Sequence, residues 1–423
     1  MVKTPDLPDS LTGERSRKRW LSPSRRGSDF LPGNQISLLQ SGAAYFPALE
    51  AAFDRARFEI YLVTYIYQDD ATGQRIADAL KRAVLRGVEV FLLIDGYGSK
   101  DLPKPMLERM RTDGVRVLVY RPQISPWTFR RKRLRRMHRK VAVVDREVAF
   151  VGGINIVDDR EPTEDLPPRY DFAVVVGGPL VEEIRLSARR QWSMVAWARF
   201  RKGAGRSVAL PGSTTGGSMS AAFVTRDNYR HRRDIEAAYL QGIDRATSEI
   251  ILCHAYFLPG VDFRHALTRA AERGVRVVLL LQGRMEFFLQ HYASRALYGH
   301  FLDAGIEIYE YRKGFLHAKV AVIDGHWATV GSSNIDPFSL LLSREANVVV
   351  DDEVFAVTLA RSLMKTVETD GERILRDTWK KEPLGLRFIS WLSYGMLRLM
   401  MVISGYAPEH DRLRRERPLS SEK

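Results

Sequence analysis

The chain carries one pattern twice. MHRKVAVVDREVAFVGGIN holds His138-x-Lys140, then Asp145, Gly152, Gly153 and Asn155. LHAKVAVIDGHWATVGSSN holds His317-x-Lys319, then Asp324, Gly331, Ser332 and Asn334, at identical spacing. The flanks echo as well. YFPALEAAFDRARFEIYLVTYIY is matched by RDIEAAYLQGIDRATSEIILCHAYF, QRIADALKRAVLRGVEVFLLIDG by FRHALTRAAERGVRVVLLLQG, and MRTDGVRVLVYR by FLDAGIEIYEYR. The period is far longer than that of a solenoid repeat. It reads as two homologous lobes, whose pseudo-twofold would set the motifs face to face. Within each half, amphipathic helices alternate with apolar β-branched runs. The expected class is therefore α/β, each lobe a mostly parallel mixed sheet flanked by helices.

The motif itself reads as phosphate chemistry. VAVVD and VAVID are strand-like runs, and side chains two apart on a strand share a face. His138 then aims with Lys140, and His317 with Lys319. An imidazole beside an ammonium suits an anionic ligand. Asp324-Gly325 predicts a hairpin turn, and the strand after it ends in Gly-Ser-Ser-Asn, which can offer a hydroxyl, an amide and backbone N–H groups. A lone His-x-Lys is more often a strand cap beside a solvated lysine. Two copies at matching offsets, each followed by Gly-x-x-Asn, outweigh that reading.

This double H-x-K-x4-D…G-[SG]-x-N pattern resembles the signature of the phospholipase D superfamily. The runs FVTRDNYRHRRDIEAAYL, YFLPG and HWATVGSSNIDPFSLLLSREANVVV extend the likeness to bacterial cardiolipin synthases, of the shorter type without paired N-terminal membrane helices, over about residues 33–405. The resemblance implies an active site at the lobe interface with His138, Lys140, His317 and Lys319 as its catalytic core. Asp145 and Asp324 complete the signature, and by family analogy tie the turn rather than touch phosphate. Asn155, Ser332 and Asn334 are expected to bind phosphoryl oxygens. A downstream acid is expected to orient each imidazole, Glu345 for His317 and Asp171 for His138. Gly153 stands where the superfamily often has Ser, a departure that makes the half-sites inequivalent.

Composition narrows the partners. A net charge of +14 favours an anionic partner, nucleic acid or an acidic membrane surface. The single Cys253, in an apolar strand, fits a buried structural thiol and a reducing compartment. Residues 1–32 are polar and basic, with no signal-peptide core, and are expected to be disordered. The first lobe is placed at 33–202, a Gly/Ser/Thr-rich linker at 203–222, the second lobe at 223–378 and a membrane-associating segment at 379–423. The basic run before His138, with Arg130, Arg131 and Arg133 beside Trp127 and Phe129, is expected to meet anionic headgroups at the lipid interface rather than serve only as a solvated loop.

Two further segments bear on lipid. Phe287, Phe288 and Tyr292 form an aromatic stripe at helical spacing, read first as core packing and second as a groove wall. LGLRFISWLSYGMLRLMMVISGY (384–406) is long enough to span a bilayer, but Arg387, Ser390, Tyr394 and Arg398 recur on one face and a mid-span Arg is costly. A helix lying in the membrane interface, with Trp391 in it, is expected, and Arg412, Arg414 and Arg415 beyond it suit an anionic leaflet. The expected location is the cytoplasmic face of a bacterial inner membrane.

The expected reaction is a two-step transfer. One imidazole attacks phosphorus to give a phosphohistidine, and the other protonates the leaving alkoxide and then deprotonates the acceptor. No cofactor or metal is needed in this scheme, because two lysines supply positive charge. The resemblance implies phosphatidyl transfer between two phosphatidylglycerols, giving cardiolipin and glycerol; which His is the nucleophile does not follow from sequence, although family analogy favours His138. A phospholipase D, a phosphatidylserine synthase, a nuclease of the same superfamily and a non-catalytic membrane protein are the competing readings. Intact His-Lys pairs argue against the last, and the apolar C-terminal stretch argues against nucleic acid as partner.

Overall fold

The structure, a computed structural model, describes residues 29–122, 135–159, 166–199 and 216–403. The first half runs β1 (Leu31–Gln40), α1 (Ser41–Arg55), β2 (Glu59–Thr64), α2 (Ala71–Leu85), β3 (Glu89–Asp95), α3 (Lys104–Thr112), β4 (Arg116–Tyr120), β5 (Val141–Val144), β6 (Val148–Gly152), β7 (Phe172–Gly177) and α4 (Leu180–Trp197). The second runs β8 (Met219–Arg226), α5 (Asp234–Arg245), β9 (Glu249–His254), α6 (Val261–Glu272), β10 (Arg276–Gln282), α7 (Phe288–Arg295), α8 (Tyr298–Asp303), β11 (Glu307–Tyr311), β12 (Lys319–Ile323), β13 (Trp327–Gly331), α9 (Pro337–Leu341), β14 (Glu345–Asp351) and α10 (Glu353–Asp370). After these come β15 (Gly371–Ile374), α11 (Arg376–Lys380) and α12 (Leu384–Ile403).

The strands order as β15-β11-β10-β9-β12-β13-β14-β8-β1-β7-β6-β5-β2-β3-β4. Replacing each of β8–β14 by its counterpart among β1–β7 reverses the order, so the pseudo-twofold passes between β8 and β1. The parallel pairing expected for most of each sheet is confined to β2-β3-β4 and β9-β10-β11. The motif strands and β1 pair antiparallel; a three-residue loop joins β5 to β6 and β12 to β13, whereas helical crossovers join the parallel neighbours. β1 and β8 went unread in the sequence. Their strands begin at Leu31 and Met219, inside the stretches assigned to the tail and the linker, and their pairing joins the two lobes into one sheet.

Burial follows from this. β3 is buried on both faces from Val90 to Asp95, as befits a parallel strand covered on both sides. Inner-face residues of both lobes, such as Val141, Val143, Val320 and Val322, share one core with α4 and α10. Two outer cores lie under α1–α3 and under α5–α8. The lobe interface is thus a hydrophobic core, and polar groups placed in it need partners.

Candidate active site

The motif hairpins are set by their aspartates. Asp145 and Asp324 adopt left-handed backbone angles, φ 54° and 52°, and Gly325 follows at 62°. The Asp145 carboxylate accepts the backbone N–H groups of Arg57, Phe58 and Glu59 at 2.8–2.9 Å. Asp324 accepts those of Thr247, Ser248 and Glu249 at 2.9–3.0 Å. Both stand at the far strand ends from the histidines, seven residues or ~23 Å away at strand rise. They are structural anchors and drop out of the catalytic set, as the family analogy implied.

At the near ends the lobes cross. Met137 forms a parallel bridge with Arg344, and Leu316 with Tyr170. The His138 N–H donates to Arg344 O at 2.9 Å, and the His317 N–H to Tyr170 O at 2.8 Å. Each histidine is therefore strapped to the segment that carries the other lobe's acid. His138 Nδ1 lies 3.0 Å from one Glu345 oxygen and 3.1 Å from the other, and His317 Nδ1 lies 2.6 Å from Asp171. The expected pairing, Glu345 with His317 and Asp171 with His138, is corrected: the acids act across the interface. The sequence relates a His only to the acid downstream in its own lobe, whereas the bridges juxtapose opposite halves.

The lysines close the site. Lys140 Nζ donates to His138 O at 2.9 Å, and Lys319 Nζ donates to His317 O. Both are buried. Burial, with the neighbouring Lys319, pulls the Lys140 ammonium down to about 7, and burial lowers Lys319 too. Burial also holds both imidazoles below their ordinary value. Glu345 opposes the drop at His138, whereas Lys319 and Lys140 deepen it at His317. Burial pushes the Asp171 carboxyl up to about 6 against the pull of Lys319. With Nδ1 of each neutral ring tied to a carboxylate, Nε2 is left as the reactive atom on both sides.

Other expectations shift. Ser332 is fully buried and donates to Glu345 at 2.6 Å; it orients the acid instead of facing phosphate. At Gly153 an added Cβ would sit 2.2 Å from an Asp171 oxygen, which accounts for glycine there: the shorter acid occupies the space Ser332 fills in the other lobe. Asn155 Oδ1 accepts the Ile66 N–H at 3.2 Å, while Asn334 Oδ1 is buried without a partner among the described residues. Arg130, Arg131, Arg133, Trp127 and Phe129, and Arg412, Arg414 and Arg415, lie outside the described residues.

Sequence reasoning missed several neighbours. Asp95 accepts the Met137 N–H at 2.9 Å and Gln282 accepts the Leu316 N–H at 3.1 Å. These are equivalent residues holding the approach to each histidine. Their signal was the polar residue ending each echoed run, LLID and LLLQ. Tyr65 packs edge-on to His138, with ring centroids 4.6 Å apart, and lies 5.1 Å beneath the Lys140 ammonium. Arg139 donates to the Glu345 carbonyl at 3.0 Å and to Ser187 at 3.1 Å.

The C-terminal helix α12 packs Leu397 into the second outer core, with Tyr394 and Met400 against it and Ser390, Ser393 and Met401 also buried. Ser390, expected on the polar face, thus faces protein. Arg387 and Arg398 are exposed, as are Phe388 (61%), Trp391 (68%), Leu392, Met396 and Leu399. Met285, Phe287 and Phe288 are also more than half exposed, so core packing is corrected for these two phenylalanines. Among the described residues no helix is long and apolar enough to cross a membrane.

Two lobes with facing His-Lys pairs at their interface define a phospholipase D-like enzyme. A family model described as "Cardiolipin synthase, PLD-like domain" matches residues 49–161 and 239–368. The chain belongs to that family. It is 37% identical to cardiolipin synthase B of Escherichia coli (strain K12) over 387 residues, covering 89% of this chain and 91% of that one. It is 29% identical to cardiolipin synthase A of Proteus mirabilis over 378 residues, 88% and 77% of the two chains. The fold matches the crystal structure of phosphatidylserine synthase from Haemophilus influenzae with a TM-score of 0.64 at 14% identity, covering 93% of this chain and 99% of that one.

Proposed function

We propose that the chain is a cardiolipin synthase that moves a phosphatidyl group from one phosphatidylglycerol to the headgroup of another, releasing glycerol. The observation that carries this reading is the crossed pair of His–carboxylate dyads, His138–Glu345 and His317–Asp171, around two buried lysines. Lys140 and Lys319 neutralise the phosphodiester and Asn155 and Asn334 hydrogen-bond it. One Nε2 attacks phosphorus while the other ring protonates the departing glycerol oxygen. The bound anion offsets the repulsion of the lysines, and so lets that second ring hold the proton it must give. In the second step the same ring takes the proton of the acceptor hydroxyl, which displaces the phosphohistidine.

The exposed apolar side of α12, together with Met285, Phe287 and Phe288, supports a helix seated in the lipid interface. The basic run at Arg130–Arg133 would add attraction to anionic lipid, on the cytoplasmic face of a bacterial inner membrane.

The test is turnover of phosphatidylglycerol vesicles in EDTA by the full chain, read by lipid mass spectrometry. Cardiolipin and free glycerol, absent with His138→Ala and with His317→Ala, are the expected products. Phosphatidic acid alone would make water the acceptor and the enzyme a phospholipase D.

A further inference from the structure

The two sides of the site are not alike. Tyr65 packs on His138, and Arg136, two residues before it, lies 4.5 Å over the Tyr97 ring. The acid there, Asp95, is buried with its oxygens taken by the backbone N–H groups of Met137, Tyr97 and Gly98. The His317 side differs. The Ala255 N–H donates to Ala318 O at 3.0 Å, which brings the segment carrying Tyr256 to the residue after His317, and the charges of Arg169 and Glu286 act on His317 and Lys319 respectively. Tyr256 donates its hydroxyl proton to Glu286 at 2.5 Å. Arg169, two residues before Asp171, holds the other Glu286 oxygen at 3.6 Å. Across the pseudo-twofold, Ala255 and Tyr256 correspond to Tyr65 and Ile66, because the bridges Tyr67–Ile156 and Phe257–Ile335 are equivalent. This polar trio is therefore particular to one half-site.

We infer that Tyr256, Glu286 and Arg169 form the subsite for the alcohol, reading the vicinal diol of a glycerol headgroup beside His317. The inference rests on the phosphatidyl-transfer reading above. Glu286 and Arg169 keep side-chain exposures of 24% and 30%, so a ligand can reach them. A carboxylate supplies acceptors and a guanidinium supplies donors, a set that matches the two hydroxyls of a diol. Arg169 offsets the Glu286 charge, which favours a neutral polyol over an ammonium headgroup. The position also faces lipid: Phe287 and Phe288 follow Glu286 directly, and the Phe287 ring packs edge-on to Tyr256 at 5.9 Å.

The subsite assigns the two histidines. An alcohol leaves and another enters on the face of phosphorus opposite the nucleophile. With the alcohol beside His317, His138 Nε2 forms the N–P bond as the P–O bond to glycerol breaks, and His317 gives its proton to the glycerol oxygen. The acceptor hydroxyl then returns a proton to His317 as its oxygen forms the new P–O bond and the N–P bond breaks.

The experiment is competition between acceptors. Wild type, Glu286→Gln and Tyr256→Phe are given phosphatidylglycerol vesicles with a fixed concentration of ethanol, and cardiolipin is measured against phosphatidylethanol. Ethanol lacks the second hydroxyl, so the ratio reports diol recognition independently of total turnover. Loss of a hydrogen bond to a charged group is expected to lower the ratio about tenfold or more in Glu286→Gln, with a smaller fall in Tyr256→Phe. An unchanged ratio, with both products falling together, overturns the subsite. If Glu286→Gln makes neither product, Tyr256→Phe, which keeps the carboxylate, carries the same ratio. Free ethanolamine added in place of ethanol forms the other arm: preferential transfer to the ethanolamine hydroxyl over the glycerol headgroup by wild type would overturn the diol assignment. Wild type that forms cardiolipin with a product ratio neither variant changes overturns the subsite alone, whereas wild type that forms no cardiolipin even without ethanol overturns the parent reading.

Discussion

Glu345 and Asp171 show how single side chains divide the work. Each holds Nδ1 of the other lobe's histidine, fixing tautomer and ring orientation. Glu345→Gln and Asp171→Asn are each expected to lower kcat by about 10²–10⁴-fold, by analogy with loss of an orienting carboxylate or a general acid-base, with KM nearly unchanged in steady-state assays. Lys140 gives the pH dependence. Its ammonium titrates near 7 in the free protein; it is charged below that value and neutral above it, so anion binding weakens as pH rises. Inhibition by tungstate, whose charge is fixed over this range, is expected to weaken up to about tenfold per pH unit above 7, one proton being lost. Inhibition that stays flat to pH 9 would contradict the lowered value. The histidines, lysines and the two anchoring aspartates were legible in the sequence because spacing along one strand reports them. The crossed acids were not, because their partners lie in the opposite half. Ser332 was misread for a related reason: a motif hydroxyl looks the same whether it faces ligand or a buried carboxylate.

At the scale of elements, hairpins and helices have separable roles. Asp145 is buried and satisfies three backbone N–H groups at the end of α1 and the start of β2. Asp145→Ala is expected to destabilise the fold by about 2–4 kcal/mol in urea unfolding, since orphaned buried donors cost about 1–3 kcal/mol each and partial rehydration recovers some of that. For its counterpart Asp324, burial raises the carboxyl's pKa and backbone N–H groups more than offset it, leaving it below the usual value. That contribution is present above the unfolded value and is lost as pH falls through the folded one. The α12 face makes a different claim. Trp391→Glu is expected to weaken vesicle binding in co-sedimentation by about tenfold or more, from about 1.5–3 kcal/mol of lost apolar burial, while leaving turnover of a monomeric short-chain substrate intact. Helix boundaries and the motif strands were readable from periodicity. β1 and β8 were not, since NQISLLQ and the first residues of MSAAFVTR lack a strong alternation, and their role emerges only when the lobes pair.

On the scale of the whole molecule, duplication explains the site. Each lobe supplies one His, one Lys and one acid, but its acid serves the other lobe, so neither lobe holds a complete dyad. The shared core behind β5–β7 and β12–β14 keeps the halves in register, and burial there drives the lowered lysine and histidine values. The two-lobe architecture was visible in the repeat. Part of the inequality of the two sides was visible in Gly153 against Ser332; the polar trio beside His317 was not, because Glu286 lies in the Met285–Phe301 stretch that has no close match in the first lobe. The central claim is two successive displacements at one phosphorus. It is tested most directly by turnover of phosphatidylglycerol carrying a chiral phosphorothioate. Each in-line step inverts phosphorus, so cardiolipin with retained configuration is expected. Inverted configuration would mean direct attack by the acceptor without a phosphohistidine, and would contradict the account.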